Sequence, residues 1–560
     1  MLIEQITSPN DIKALDYVQL GVLADEIRTI ILNYCSIHGG HVGPNLGMVE
    51  MSIAIHYVFN SPQDKILFDV SHQIYTHKML TGRAKSFLYE THYKEVGRYS
   101  NPLESEHDLF IIGHTSTSIS LATGIVKARD LLRREGNVIA VIGDGALCGG
   151  EASEGLNIGG MFKSNLIIII NDNQMSIANN YGGLYRNLEK LRTSAGTCNN
   201  NYFRALGYDY IYVPDGNNLA KLIHVFKQIK DIQHPIVVHV NTEKGYGYNP
   251  AIEDKEKWHF IGPFDIKTGK KKDPIPKELY STITADYLLK RMEEDERIVA
   301  ISAGTPTIMG FTTEKRKRAG KQFIDVGAAE EHAVAMACGI AKAGGRPVWG
   351  VYSCFITRAN DQIQDLCINN SPAIILIFWG SLIAMNDVTH LCWWDIPLMS
   401  NIPNMVCLSP TNKEEYIGML DWSIAQSDHP VCIRVPFGHV VHSISNTPYC
   451  FSEPFKYEVR HWGEKVALFG VGHFINLADK VAKELKETYS IDATVINPRN
   501  LSHQDVKLLN HIKTNHLIIV TLEDGLLDGG FGEKIARFFA TSSVKVICRG
   551  GKKNSLTISI

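Results

Sequence analysis

Runs of β-branched and aliphatic residues recur along the chain and alternate with helix-length segments of mixed polarity. The runs show little alternation of polar with apolar residues, which is typical of strands buried on both faces of a parallel sheet. The pattern therefore predicts an α/β fold made of doubly wound domains, with mainly parallel sheets covered by helices. The predicted strands are 137–145, 165–173, 235–240, 297–302, 372–379, 466–472 and 516–525.

Two polar segments interrupt this alternation and predict domain boundaries. Segment 265–278 is charged and contains two prolines, and segment 442–456 is rich in turn-forming residues. An apolar strand or a new helix–strand series follows each segment. We therefore predict three domains, at about residues 1–265, 280–440 and 455–560.

Charge and composition restrict the classes of partner. The net charge is −3, and the basic clusters 270–272 and 315–318 are short, so nucleic acid is not an expected partner. No apolar run approaches the roughly 20 residues that span a membrane. The N-terminal residues lack the basic start and apolar run of a signal peptide. The eleven cysteines include no CxxC pair, which favours reduced, buried thiols. These features predict a cytoplasmic protein without a membrane partner.

Oxygen-bearing side chains end two successive predicted strands. Asp144 lies between Gly143 and Gly145 at the end of one strand, and Asn173 closes the segment Asn-Asp-Asn at the end of the next. Magnesium prefers oxygen ligands and accepts phosphate oxygens among them. The glycines allow close approach of a diphosphate, and a following helix offers free N–H groups. The sequence therefore predicts a magnesium–diphosphate site.

This pair of motifs resembles the cofactor signature of thiamine-diphosphate enzymes, and nearly the whole chain is similar to the 1-deoxy-D-xylulose-5-phosphate synthase family of the transketolase superfamily. The order and spacing of the matching segments agree with that family. The resemblance implies a thiamine-diphosphate-binding fold in the first two domains and a transketolase C-terminal-like third domain. The matching segments are GGHVGPNLGMVEMSIAIHYVFN (39–60), FDVSHQIYTHKMLTGR (68–83), GHTSTSIS (113–120), VIGDGALCGGEASEGLN (141–157), NDNQMSI (171–177), KGYGY (244–248), FIDVGAAEEHAVAMACGIA (323–341) and YSCFITRANDQ (352–362).

The resemblance implies thiamine diphosphate and Mg²⁺ as cofactors. The metal ligands would be Asp144, Asn173 and the backbone carbonyl of Met175. Lys244 and His259 would lie on a loop near the diphosphate. The implied cofactor-binding residues are His72, His114, Ser116, Gly145, Ala146, Asn173, Met175, Lys244, Glu330 and Phe355.

Glu330 and three histidines are the implied catalytic residues. A glutamate at a helix start is ordinarily favoured by the helix dipole, but the matching glutamate of the superfamily hydrogen-bonds the cofactor's aminopyrimidine and promotes loss of its C2 proton. Histidines next to glycine or serine in loops suit proton transfer near neutral pH. The resemblance implies this role for His41 and His72, and an acceptor-side role for His390.

The implied reaction joins two small molecules, a 2-oxo acid and an aldehyde. The resemblance also implies a homodimer. Pyruvate would lose carbon dioxide, and the remaining two carbons would pass to D-glyceraldehyde 3-phosphate, a step that serves isoprenoid and thiamine biosynthesis. The planar guanidinium group of arginine can donate two parallel hydrogen bonds to the acceptor phosphate. The implied substrate residues are Tyr352, Arg358, Asn386, Asp387 and Arg434.

The chain departs from the family pattern around the acceptor. Trp379 and Phe437 stand where the family has basic residues, Asn386 stands where it has aspartate, and the chain ends soon after CRGGKKN. Lost charged donors weaken phosphate binding. Two alternatives therefore stay open beside the synthase: a related transketolase-like enzyme with another donor or aldehyde acceptor, and a non-catalytic paralogue. The intact cofactor motifs argue against the paralogue.

Overall fold

The computed structural model describes residues 1–274, 276–385, 387–443 and 449–552. Within these ranges the chain forms two compact units, one in residues 1–275 and one in residues 276–559. The division between them falls in the polar segment 265–278 that predicted a boundary. Among the described residues, no helix is both long and apolar enough to cross a membrane.

The first unit contains one parallel sheet in the order β1-β2-β3-β5-β4. Every residue of its central strand β3 is buried, because helices cover both faces and leave no side of the strand to solvent. Its strands are β1 (Lys65–Phe68), β2 (Val138–Gly143), β3 (Leu166–Asp172), β4 (Asp209–Val213) and β5 (Pro235–Asn241).

Helices of the first unit carry the loops that reach the carboxyl edge of the sheet. The longest, α2, begins after Asp16, whose side chain accepts a hydrogen bond from the Gln19 N–H at 2.8 Å and caps the helix. The helices are α1 (Pro9–Ile12), α2 (Tyr17–His38), α3 (Val42–Gly47), α4 (Val49–Val58), α5 (Tyr75–Lys78), α6 (Lys85–Leu88), α7 (Ser118–Leu131), α8 (Gly150–Gly159), α9 (Gly183–Thr193), α10 (Tyr202–Ala205), α11 (Leu219–Ile229) and α12 (Asn249–Glu253).

The second unit contains two sheets. The first has the order β10-β11-β9-β8-β6-β7 and is parallel throughout. The second has the order β12-β14-β13-β15-β16, in which only the edge strand β12 is antiparallel within the described residues. The strands are β6 (Ile298–Ser302), β7 (Phe323–Asp325), β8 (Arg346–Tyr352), β9 (Ile374–Phe378), β10 (Val406–Leu408), β11 (Val431–Arg434), β12 (Glu458–His461), β13 (Lys465–Gly470), β14 (Thr494–Asn497), β15 (His516–Leu526) and β16 (Lys545–Gly551).

The helices of the second unit complete the layers around these sheets. They are α13 (Tyr280–Glu294), α14 (Thr313–Ala319), α15 (Glu330–Lys342), α16 (Asn360–Ile368), α17 (Asp395–Met399), α18 (Lys413–Ala425), α19 (Ile475–Tyr489), α20 (Val506–Asn515) and α21 (Phe531–Phe539). The predicted fold class, three doubly wound domains with mainly parallel sheets, is confirmed, since each predicted domain contains one of the three sheets. The domain limits at 1–265, 280–440 and 455–560 stay a prediction.

Two acidic residues lie near the end of β15. Glu523 and Asp524 are fully buried. Glu523 accepts hydrogen bonds from the N–H groups of Phe531 and Gly532 at 2.8 and 3.1 Å, at the start of α21. This carboxylate therefore stabilises a helix N-terminus, where free donors and the helix dipole favour negative charge.

Candidate active site

Asp144 and Asn173 lie beyond the carboxyl ends of two paired strands. Strands β2 and β3 are parallel, with Gly143 opposite Asn171, and the Asp144 N–H donates to the Asn171 carbonyl at 3.1 Å. This pairing places both predicted ligands at the edge where parallel α/β sheets bind their ligands.

The oxygens at this edge are buried and only partly satisfied. Asp144 is 1% exposed, and one carboxylate oxygen accepts a hydrogen bond from the Asn180 amide at 2.7 Å. Burial, reinforced by the charge of Asp172, raises the pKa of Asp144 well above its usual value. The side-chain oxygen of Asn173 is buried without a hydrogen-bond partner among the described residues. Such a group is costly unless a ligand satisfies it.

This donor set fits a divalent cation that binds together with a phosphate. The described residues contain no group of three or more His, Cys, Asp or Glu that could hold a metal. One carboxylate and one amide oxygen alone are too few for Mg²⁺, which takes about six oxygen ligands and commonly shares them with a substrate phosphate. Asp144 and Asn173 are therefore suited to a metal–diphosphate complex rather than to an isolated ion.

Gly145 and Lys244 shape the loop beside these ligands. A Cβ at Gly145 would lie 2.7 Å from Cβ of Ser176, so only glycine permits this approach of the two loops. The Lys244 ammonium is 1% exposed and donates to the Ser176 carbonyl at 2.7 Å. Burial lowers its pKa to about 7. Met175 precedes Ser176 in the loop after β3 and forms an isolated antiparallel β-bridge with Asn179.

Ser116 connects a second loop to Ala146. Its hydroxyl donates to the Ala146 carbonyl at 2.6 Å. Asp69, directly after β1, accepts hydrogen bonds from the N–H groups of Ser116 and Ser118 at 2.7 and 2.9 Å. His114 is half-buried in the same loop, before α7. Sequence reasoning did not single out Asp69, although a carboxylate directly after a buried strand was an available signal.

Three histidine rings of the first unit form a cluster. The ring centroids of His41 and His72 lie 4.9 Å apart, and His259 lies 5.6 Å from His41 and 5.2 Å from His72. Burial, together with the charge of Lys244, lowers the pKa of His259 well below its usual value. The neutral imidazole of His259 can therefore donate or accept a hydrogen bond at neutral pH.

Asn45 holds two of the histidine loops together, and no local sequence signal indicated it. Its amide nitrogen donates to the carbonyls of His41 and His72, both at 2.8 Å, and its oxygen accepts the Tyr75 N–H at 2.9 Å. Asn45 is completely buried. One side chain therefore satisfies three backbone groups from two segments that are distant in sequence.

We expect Asn45→Ala to lower the free energy of unfolding by about 1–3 kcal/mol, because it leaves buried backbone groups without partners. Chemical denaturation at pH 7.5 measures this change. Asn33→Ala, an exposed asparagine on α2, is the matched control and should unfold like the wild type. Equal stability of all three proteins would contradict the assigned bridging role of Asn45.

Glu330 is the first residue of α15 and is 6% exposed. Burial raises the pKa of its carboxyl to about 7, although the charge of Arg358 lowers it. Its Oε2 atom is buried without a hydrogen-bond partner among the described residues. A buried, partly unsatisfied carboxyl that titrates near neutral pH is well suited to bind a ring nitrogen and exchange a proton with it.

Phe355, Tyr352 and His390 lie close together in the second unit. The Phe355 ring centroid is 5.5 Å from those of both Tyr352 and His390. Asp387 Oδ1 accepts the Thr389 hydroxyl at 2.6 Å, and that hydroxyl lies 2.7 Å from His390 Nδ1. Burial alone would raise the pKa of Asp387, but hydrogen bonds from His390 and Thr389 hold it below its usual value. Asn386 lies outside the described residues.

Arg434, the last residue of β11, lies in a buried ion pair with Asp395. It is 4% exposed, its Nε donates to Asp395 Oδ2 at 2.6 Å, and Nη2 donates to the Asp524 carbonyl. These contacts engage Nε and Nη2 and hold the guanidinium in place, whereas a guanidinium carries five N–H donors in all. The role of Arg434 at an acceptor phosphate stays a prediction. Arg358, in the turn after β8, acts electrostatically on Glu330.

Three family models together match most of the chain. A model of 1-deoxy-D-xylulose-5-phosphate synthase matches residues 3–200 and 195–242. The transketolase pyrimidine-binding domain matches residues 279–440, and the transketolase C-terminal domain matches residues 456–549. A solved structure, the transketolase from Leishmania mexicana, aligns over 94% of this chain and 95% of its own at a TM-score of 0.38 and 15% identity, which is too distant to inform the site.

Curated relatives match over nearly the full length. The 1-deoxy-D-xylulose-5-phosphate synthase of Heliobacterium modesticaldum is 36% identical over 98% of this chain and 90% of its own. Those of Symbiobacterium thermophilum and Listeria monocytogenes are 38% and 37% identical, over 97% and 96% of this chain and 89% and 90% of theirs. By this identity over nearly its whole length, the chain belongs to the 1-deoxy-D-xylulose-5-phosphate synthase family of the transketolase superfamily.

Proposed function

We propose that this protein is a thiamine-diphosphate- and magnesium-dependent transferase that decarboxylates pyruvate and joins the remaining two carbons to an aldehyde. With D-glyceraldehyde 3-phosphate as acceptor, the product is the 1-deoxy-D-xylulose 5-phosphate of the relatives' name. The observation that carries the proposal is the buried Glu330 carboxyl, whose unpaired oxygen and raised pKa suit a ligand's ring nitrogen. In this role the protein feeds isoprenoid and thiamine biosynthesis.

The proposal assigns roles to each unit separately. In the first unit, Asp144, Asn173 and the Met175 carbonyl would hold Mg²⁺, and Gly145, Ala146, Ser116, His114 and Lys244 would bind the diphosphate. His41 and His72 would donate hydrogen bonds to oxygens of the reacting molecules. In the second unit, Phe355 would stack on the pyrimidine, and Glu330 would hold a proton at Oε2. Thiamine diphosphate, when bound, supplies the nucleophilic carbon and the electron sink.

Pyruvate labelled with ¹³C at C1 tests the donor half. The purified protein with thiamine diphosphate and Mg²⁺ should release labelled carbon dioxide when an aldehyde is present, and mass spectrometry should detect the joined ketose. Release of no carbon dioxide with any aldehyde would contradict the function. Light scattering tests the further proposal that the protein is a homodimer.

A second candidate function is a transferase of the same type with a different aldehyde acceptor. The aromatic residues Trp379 and Phe437, which stand where the family has basic residues, favour it. The intact Glu330 and Asp144 argue against a third possibility, a non-catalytic paralogue.

A further inference from the structure

Four aromatic rings form a row in the second unit. The ring centroid of Tyr352 lies 5.5 Å from that of Phe355 and 5.8 Å from that of Trp379, and Trp379 lies 5.5 Å from Phe437. All three pairs are edge-to-face, a favourable arrangement for aromatic rings. We call Phe355, Tyr352, Trp379 and Phe437 the aromatic row. One of its ends is the proposed pyrimidine-stacking residue.

The row follows from the topology of the sheet. Tyr352 ends β8, Trp379 directly follows β9, and Phe437 lies three residues beyond β11. These strands are parallel neighbours in the order β11-β9-β8. Their carboxyl ends therefore meet at the edge where such sheets bind small molecules.

Trp379 is not an ordinary core residue. Its side chain is 37% exposed, whereas the preceding strand residues are buried. Its φ of 63° is unusual for a bulky residue. A strained backbone that presents a large apolar ring to solvent is typical of functional positions.

The cluster of charges around Arg434, beside Trp379, has no surplus positive charge for an anion. Arg358, three residues after Phe355, is a separate cation whose charge acts on Glu330. Gly380, directly after Trp379, lies against the buried ion pair between Arg434 and Asp395. A Cβ at Gly380 would be 2.6 Å from Asp395 Oδ2 and 2.8 Å from Arg434 Nε. Asp524 faces the same guanidinium, with 3.8 Å between Oδ2 and Nη1, and His473 pairs with Asp524 at 3.0 Å. Even with His473 protonated, the two cations only balance the two carboxylates. A phosphate placed here would meet no free cation of this cluster.

We propose that the aromatic row binds the acceptor, and that the acceptor is an aldehyde with an uncharged aromatic group rather than a phosphorylated one. This inference rests on the proposed function for its donor half. The C1–C2 bond of pyruvate breaks and releases carbon dioxide. A new bond joins pyruvate C2 to the aldehyde carbon, and the aldehyde oxygen takes up one proton from solvent. The product is an aromatic α-hydroxy ketone, and no oxidant or reductant is consumed.

Acceptor competition in the loaded enzyme tests the proposal, with pyruvate fixed and benzaldehyde compared with D-glyceraldehyde 3-phosphate. We expect kcat/KM for benzaldehyde to be about tenfold higher or more, because an apolar site leaves the phosphate without charged partners. Trp379→Arg and Phe437→Arg, alone and combined, should shift the ratio toward the phosphorylated acceptor by about 100-fold. Trp379→Phe should keep the aromatic preference, and so should Trp462→Arg, a 52% exposed tryptophan outside the row.

A binding measurement separates this proposal from the proposed function. Saturation-transfer NMR on the loaded protein uses benzyl alcohol and glycerol 3-phosphate, two unreactive analogues of the acceptors. We expect a signal for benzyl alcohol that Trp379→Arg removes and Trp462→Arg preserves. If no carbon dioxide is released from pyruvate but benzyl alcohol binds in this pattern, the function fails and the aromatic site stands. A wild-type preference for the phosphorylated compound in either assay overturns the aromatic site.

Discussion

Glu330→Gln is expected to leave the cofactor bound while slowing exchange of its C2 proton by about 10³-fold or more. The carboxyl of Glu330 can hold a proton at Oε2, whereas an amide of the same shape cannot exchange one. Several kcal/mol of barrier should therefore return without a loss of packing. Deuterium exchange at C2 of bound thiamine diphosphate measures the rate.

Glu331→Gln is the matched control for this variant. It makes the same substitution one residue later in the first turn of α15, and it should exchange at the wild-type rate. A wild-type rate in Glu330→Gln would remove Glu330 from its proposed role. A slow rate in both variants would point to disruption of the helix start instead.

Glu330→Gln should also change how the stability of the cofactor-free protein depends on pH. Burial raises the folded-state pKa of Glu330 from 4.5 to about 7. Below pH 4.5 the carboxyl is protonated in both the folded and the unfolded state, so burial of Glu330 does not lower the stability. As the pH rises from 4.5 to about 7, ionisation favours the unfolded state and the free energy of unfolding decreases. Glutamine mimics the neutral carboxyl, so Glu330→Gln should be more stable than the wild type at pH 8, by an amount on the order of 3 kcal/mol. Thermal unfolding at pH 4.5 and pH 8 measures the difference, which should vanish at the lower pH.

Asp144→Ala is expected to abolish the rise in melting temperature that thiamine diphosphate and Mg²⁺ produce together. A ligand at 100 to 1,000 times its Kd stabilises the folded state by about 3–4 kcal/mol, and removing the carboxylate removes a metal ligand. Differential scanning fluorimetry measures the shift with and without both cofactors.

Two further variants make the interpretation of Asp144→Ala specific. Asp25→Ala removes a carboxylate that is 87% exposed on α2, and it should retain the full cofactor-induced shift. Asp144→Asn keeps an oxygen but loses the charge, so its shift should be intermediate. An unchanged shift in Asp144→Ala would rule out Asp144 as a metal ligand.

Local patterns in the sequence were sufficient to predict seven of the sixteen strands in the described residues, namely β2, β3, β5, β6, β9, β13 and β15. The isoleucine run of β3 has apolar side chains on both faces, so it predicted a strand covered by helices on both sides of a parallel sheet. The residues after it, like Asp144 after β2, therefore had to emerge at one edge. Glu330 could be placed at a helix start for the same reason, since periodicity and end signals depend on neighbouring residues.

Contacts between distant segments were decided only by tertiary structure. Asn45 bridges two loops, and Arg434 is committed to Asp395 and the Asp524 carbonyl. No local pattern records these pairings, because each depends on which segments the sheets bring together. The sequence by itself determined that Trp379 closes a predicted apolar strand, and the resemblance to the family predicts basic residues at the positions of Trp379 and Phe437. Only the tertiary structure decided that the two rings meet, because parallel pairing places the ends of β9 and β11 side by side.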